Sequence, residues 1–107
     1  MSKIKLIKLR VKAGQKNNWL KWTVELKKRR REVLHTLKKE GILSEACFIS
    51  KNGKDIYYFM ETTKDFSVIN KVFAESKNKI DIEHKKITSK TLKLNEEPIE
   101  LFNFTVK

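Results

Sequence analysis

Oily and charged residues alternate along the first dozen positions of this chain. Residues 3–11, KIKLIKLRV, set lysine or arginine against Ile4, Leu6, Leu9 and Val11. A period of two predicts a strand. The alternation slips at the adjacent pair Leu6–Ile7, as a bulge or burial on both faces would cause. Ala13-Gly14 then breaks the strand. The period changes to that of a helix over Lys16–Glu40, where steps of about 100° per residue gather Trp19, Trp22, Leu26, Val33, Leu34 and Leu37 on one face. Lysines in the last turn and Gly41 just beyond it suit a helix C-terminus.

Residues 42–51 and 54–62 are rich in β-formers and are joined by Asn52-Gly53. Such a link favours a type I′ turn, whose two central residues need positive φ. It predicts Ile49 opposite Ile56, Cys47 opposite Tyr58 and Glu45 opposite Met60. One hairpin face then holds Leu43, Glu45, Cys47, Ile49, Ile56, Tyr58 and Met60. The other holds Ser44, Ala46, Phe48, Tyr57, Phe59 and Glu61. Both are largely apolar, so both need cover. Thr63 suits a helix N-cap and Asp65 its first turn, with Phe66, Ile69 and Phe73 marking a helix that ends near Ser76. Asp81 suits the cap of a further short helix over 82–92. Pro98 opens an expected last strand, Ile99–Val106, apolar on both faces through Leu101, Phe102 and Phe104.

The predicted order is βαββαβ with an extra short helix. That is an α+β, ferredoxin-like fold with a four-stranded antiparallel sheet, in a single domain over 1–107. Helices cover one sheet face. A second copy of the sheet is the simplest cover for the other, which predicts a homodimer with sheets face to face.

Composition narrows the function classes. At 107 residues with 39% hydrophobic positions, the chain can hold a core. A single cysteine, Cys47, excludes an intrachain disulfide and fits a reducing, cytoplasmic setting. The charged N-terminus is unlike a signal peptide, and no stretch approaches a membrane span. A net charge of +12 invites a nucleic-acid partner, but the lysines are spread along the chain. Only Lys27–Arg31 forms a dense run. Two distant histidines and one cysteine do not make a metal-ligand set, and no motif for a nucleotide or other cofactor is present.

Arg30 is the sharpest site candidate, because it falls near the middle of the oily helical stripe. A charge there needs a partner or a cavity. It serves either as the anion-binding guanidinium of a pocket or as the structural partner of Glu45 on the facing strand. Tyr58 and Trp22 can wall the same pocket or simply fill the core. His84 suits a general acid or base at the pocket mouth, or else a surface histidine beside Asp81 and Glu83. His35 lies opposite the stripe and is expected in solvent. Cys47, mid-strand, is expected to be a buried and inert thiol.

Lys12-Ala13-Gly14 before the long helix, Lys39-Glu40-Gly41-Ile42 after it, and Phe48 in the next strand resemble the dimeric α/β-barrel superfamily. Glu25, Arg29, Arg30 and Glu32, with Glu45–Phe48 and Asp81-x-x-His84-Lys85, resemble a group of short uncharacterised bacterial proteins within it. Gly14 and Glu40-Gly41-Ile42 are also similar to L-rhamnose mutarotases, whose first helix carries a histidine serving the sugar site; Trp19–Glu25 contains none. Antibiotic-biosynthesis-type monooxygenases are similar in fold. The resemblance implies dimerisation and a pocket between helix and sheet.

These readings lead to one expected function. The protein binds, and by proton transfer without a cofactor converts, a small polar or anionic molecule around Arg30, Glu45, Tyr58, Trp22 and His84. A basic module for RNA, DNA or an acidic protein, using Lys27, Lys28, Arg29 and Arg31, is the alternative. A dimeric scaffold without ligand is the third.

Overall fold

The computed structural model describes residues 2–106. Their order is β1 (Lys3–Val11), α1 (Lys16–Lys28), α2 (Arg30–Glu40), β2 (Ile42–Ile49), β3 (Asp55–Thr62), α3 (Phe66–Glu75), α4 (Lys79–Thr91) and β4 (Leu92–Glu96). The four strands form one antiparallel sheet in the order β2-β3-β1-β4. With a helical segment crossing over in each half, this is the ferredoxin-like fold.

The hairpin pairs as its pattern predicts, with Ile49 opposite Ile56, Cys47 opposite Tyr58 and Glu45 opposite Met60. Its turn differs. Gly53 has φ +73°, while Asn52 does not enter the positive region, so the turn is not type I′. Instead Gly53 N–H donates to the Ser50 carbonyl at 2.9 Å, and the Asn52 side chain accepts from Lys54 N–H at 3.0 Å. A side chain that closes the turn relieves Asn52 of the left-handed conformation. In β1 the pairing with β3 is unbroken across Leu6–Ile7, so the slip reflects apolar residues on both faces. The irregularity lies on the β4 side, between Lys8 and Leu9.

Four expectations need correction. The segment Lys16–Glu40 is two helices that meet at Arg29. Asp65, not Thr63, caps α3, accepting from Ser67 N–H at 2.8 Å. The next helix begins at Lys79 after Asn78 and is a full α4 of 13 residues, not a short piece over 82–92. The fourth strand is Leu92–Glu96. Residues Ile99–Val106 pair with no strand among the described residues. Leu92-Lys93-Leu94 is a weak β-pattern, but it emerges directly from α4 beside the free edge of β1, and proximity decides.

All helices lie on one side of the sheet. Trp19, Trp22, Ile56, Tyr58, Ile80 and Leu92 form the core, flanked by Ile7, Leu9, Val11, Leu26, Val33 and Ile87. Leu34, expected in the core, is half exposed. The opposite sheet face carries Leu6, Phe48, Tyr57 and Phe59 and no helix. Among the described residues no helix is long and apolar enough to cross a membrane.

Trp19 is 1% exposed and central to the core. Trp19→Ala is expected to cost about 3–5 kcal/mol in urea unfolding, and Leu34→Ala under ~1 kcal/mol.

Candidate functional site

The residues that face inward along α1 and α2 are Trp19, Trp22, Leu26, Arg29, Val33, Thr36 and Glu40, a spacing of three and four throughout. Arg30 is not among them. It is exposed and makes no ion pair or side-chain hydrogen bond among the described residues, so the expected Arg30–Glu45 pair does not form. The inward phase carries through the junction at Arg29, where φ is −99° and ψ 34°, and it selects Arg29 rather than Arg30. Counting Leu34 as core had pulled the inferred stripe towards Arg30. Thr36 and Glu40, which look like solvated positions, pull the real one the other way.

Arg29 takes the inward position. Its Nε and Nη2 donate to the two oxygens of Glu32 at 2.7 and 3.2 Å. Its Nη2 also lies 2.7 Å from Glu83 Oε2 on α4, a contact of charge without hydrogen-bond alignment. Glu25 is more distant at 3.9 Å. The guanidinium covers the ring of Trp22, 6.0 Å from its centre. The hydrogen bonds to Glu32, and then the close charge of Glu83, hold Arg29 firmly in its charged form.

Beneath this cover the Trp22 ring N–H donates to His84 Nδ1 at 2.8 Å. An indole N–H can only donate, so Nδ1 is the unprotonated nitrogen and neutral His84 carries its proton on Nε2. That nitrogen lies 3.5 Å from the Tyr58 hydroxyl. Burial lowers the His84 pKa to about 4, against a weaker opposing pull from Asp81, so the ring stays neutral at physiological pH. Burial likewise keeps the Tyr58 phenol protonated. Trp19, Trp22, Tyr58 and Phe73 stand around the imidazole with ring centres 6.1–6.2 Å away.

Tyr58 and His84 line a cleft of about 460 Å³ between the helices and the sheet. Its apolar walls include Ile7, Leu9, Val33 and Ile69, and its acidic wall holds Glu40, Glu45 and Asp81. Asp81 is buried and accepts from the hydroxyls of Thr36 and Ser76, each at 2.5 Å. Glu40 is 5% exposed and has no hydrogen bond or ion pair among the described residues. Burial, then the charges of Asp81 and Glu45, raise its pKa to about 7. Glu45 on edge strand β2 remains open to water. Its crowded side of the cleft and Asp81 still raise its carboxyl.

Of the residues singled out from sequence, the structure thus brings Trp22, Tyr58 and His84 together, with Glu45 on the same cleft. Arg30 stays outside. Glu40, Asp81 and Thr36 went unrecognised, although their three-and-four spacing or their place after a helix start was visible. Lys27 and Lys28 on α1 and Arg31 on α2 are exposed, whereas Arg29 is withdrawn from that basic surface. Cys47 is exposed rather than buried, yet crowding raises its thiol to about 11, so it stays protonated at neutral pH.

One family's sequence pattern matches residues 2–106. The chain belongs to DUF6176, a family of unknown function. Among solved structures it is similar to the L-rhamnose mutarotase from Formosa agariphila, with 17% identity and a TM-score of 0.66. That likeness covers 96% of this chain and 99% of the other, and concerns the fold. No curated protein matches.

Two predictions follow from this geometry. Arg29→Ala should lower stability by about 1–2 kcal/mol and quench or shift Trp22 fluorescence, while Arg30→Ala leaves both unchanged. The second concerns pH. A carboxyl with a raised folded pKa supports the fold below its ordinary value of 4.5 and withdraws that support as pH rises through about 7. His84 acts oppositely, its support being lost as pH falls from 6.5 towards 4. Glu40→Gln should therefore gain on wild type between about pH 5 and pH 8, by on the order of 2 kcal/mol in thermal unfolding.

Proposed function

We propose that the protein binds a small, uncharged, hydroxyl-bearing molecule in the helix–sheet cleft and moves a proton on it. The observation that carries this reading is Glu40. It is a carboxyl buried in the wall of a cleft of about 460 Å³, without a partner among the described residues. A carboxyl that opens on an apolar cleft and has no protein partner is free to serve a ligand there. With a pKa of about 7 it is also matched to acid–base work at neutral pH.

Glu40 and Glu45 are the proposed acid–base groups. Neutral His84 and Tyr58 orient the ligand by hydrogen bonds, and Trp22 holds the imidazole in one tautomer. The acidic wall disfavours the anionic class of ligand that Arg30 had suggested from the sequence. A free reducing sugar fits both the chemistry and the fold's likeness to an L-rhamnose mutarotase. Opening the ring takes a proton from one hydroxyl and returns one to the ring oxygen, and two carboxyls near neutrality suit such an exchange. We also propose that two copies pair through the open sheet face.

The test is anomer exchange by NMR magnetisation transfer, with L-rhamnose first and then a panel of reducing sugars. The expected result is faster exchange with the protein than in buffer, with an optimum near neutral pH. Glu40→Gln should then slow it by about 10²–10⁴-fold. Absence of both exchange and cleft chemical-shift changes across the panel would falsify the reading.

A further inference from the structure

The cleft is acidic on one wall, and the fold brings no cation against that wall. Glu40 reaches it from α2, Glu45 from β2 and Asp81 from α4. Glu40 and Asp81 are 5% and 3% exposed. None of the three makes an ion pair among the described residues. Asp81 has the hydroxyls of Thr36 and Ser76, both on Oδ2. Glu40, set into the wall and facing the cleft, has no side-chain hydrogen bond among the described residues.

The remaining titratable groups on the cleft are Tyr58, His84 and Lys85. Burial keeps the first two neutral. Lys85 is the one lysine or arginine lining the cleft among the described residues, and its ammonium is engaged elsewhere. It donates to the Ala74 carbonyl on α3 at 3.1 Å and lies 5.1 Å from the centre of the Phe73 ring. Burial of Glu40 and the charges of Asp81 and Glu45 outweigh the pull of Lys85. A proton on Glu40 therefore stands in for a positive charge that the fold leaves out.

The other walls say what kind of cation could replace that proton. Tyr58 and Phe73 line the same space, and aromatic rings attract organic cations. Apolar Ile7, Leu9 and Val33 exclude water, which strengthens attraction between opposite charges. Among the described residues no three acidic, histidine or cysteine side chains are grouped as ligands for one metal ion. The fitting cation is an organic ammonium.

We propose that the cleft takes protonated amines, and most tightly one whose ammonium nitrogen replaces the ring oxygen of a sugar. This rests on the cleft being the ligand site proposed above, and it adds the charge that the site prefers. Ring opening delivers a proton to the ring oxygen, so positive charge develops there as the carboxyl gives its proton up. A ring ammonium carries that charge permanently. A site complementary to the reacting state binds its mimic more tightly than the sugar itself.

Isothermal titration calorimetry at neutral pH tests this with a hydroxylated piperidine and its uncharged lactam, matched in configuration to sugars of the exchange panel. The amine should bind about 10–10³-fold more tightly than the lactam. Titration in buffers of different ionisation enthalpy should show release of about half a proton or more as the ammonium displaces it. Glu40→Gln and Asp81→Asn keep the shape of the wall, and each should reduce the preference for the amine by at least about tenfold. Glu40→Gln should also at least halve the proton release. Equal binding of amine and lactam, or a preference untouched by both substitutions, overturns the inference. Failure of the amine to bind while sugars exchange overturns it and leaves the proposed function standing. Selective amine binding without exchange of any sugar supports the charge preference and overturns the proton transfer alone. Silence from both compounds and from every sugar overturns the two together.

Discussion

An arginine that is drawn inward must be neutralised, and that requirement at Arg29 organises one whole side of this molecule. Its side chain is 16% exposed, so water alone cannot satisfy the guanidinium. Glu32 answers from the following turn and Glu83 from α4. Drawing Glu83 to Arg29 carries its neighbour His84 to Trp22, and the hydrogen bond between those rings follows from the same docking. Thr36 and Asp81 repeat the tie two turns further along. The three-and-four spacing carries through the junction of α1 and α2, so it is Arg29, not Arg30, that meets α4.

The cleft reverses the electrostatic character of the chain. Basic residues dominate the surface, yet Glu40, Glu45 and Asp81 share one wall. None of the three has an ion-pair partner among the described residues, and only Asp81 has side-chain hydrogen bonds. A low-dielectric wall makes each negative charge felt by the next, and protonation is the least costly relief. The neutral histidine belongs to the same environment. Burial, not any partner, sets its charge, and the donor-only indole settles which nitrogen holds the hydrogen.

The parts of this architecture that were legible in the sequence are those with strict periodicity and local closure. The β2–β3 register could be read from alternation and from Asn52-Gly53 because a slip of one residue would have exchanged both faces. Tyr58, Trp22 and His84 could be named, since aromatic and imidazole side chains are conspicuous. Glu40 and Asp81 could not. Acidic residues near helix ends usually face water, and only tertiary packing decides otherwise. Arg30 was misplaced because Leu34, which is half exposed, looks like a core position and draws the centre of the apparent stripe away from Arg29. Residues 99–106 have a stronger strand pattern than Leu92–Glu96. Pattern strength shows that a segment wants a sheet but is silent on which edge receives it, and the segment released at the end of α4 reached β1 first.

The position of β1 has a kinetic consequence. It lies inside the sheet, between β3 and β4, yet it precedes both of them in the chain. Its two neighbours arrive after long intervals of sequence: Arg10 waits for Asp55, and Val11 for Leu92. Only the β2–β3 hairpin closes over a short loop. Loop-closure entropy therefore falls mainly on the first strand, and pairing across such separations slows folding relative to helical chains of this size. A nascent chain on the ribosome cannot complete its sheet until β4 has emerged. Until then the oily first strand depends on the lysines interleaved with it to stay in solution.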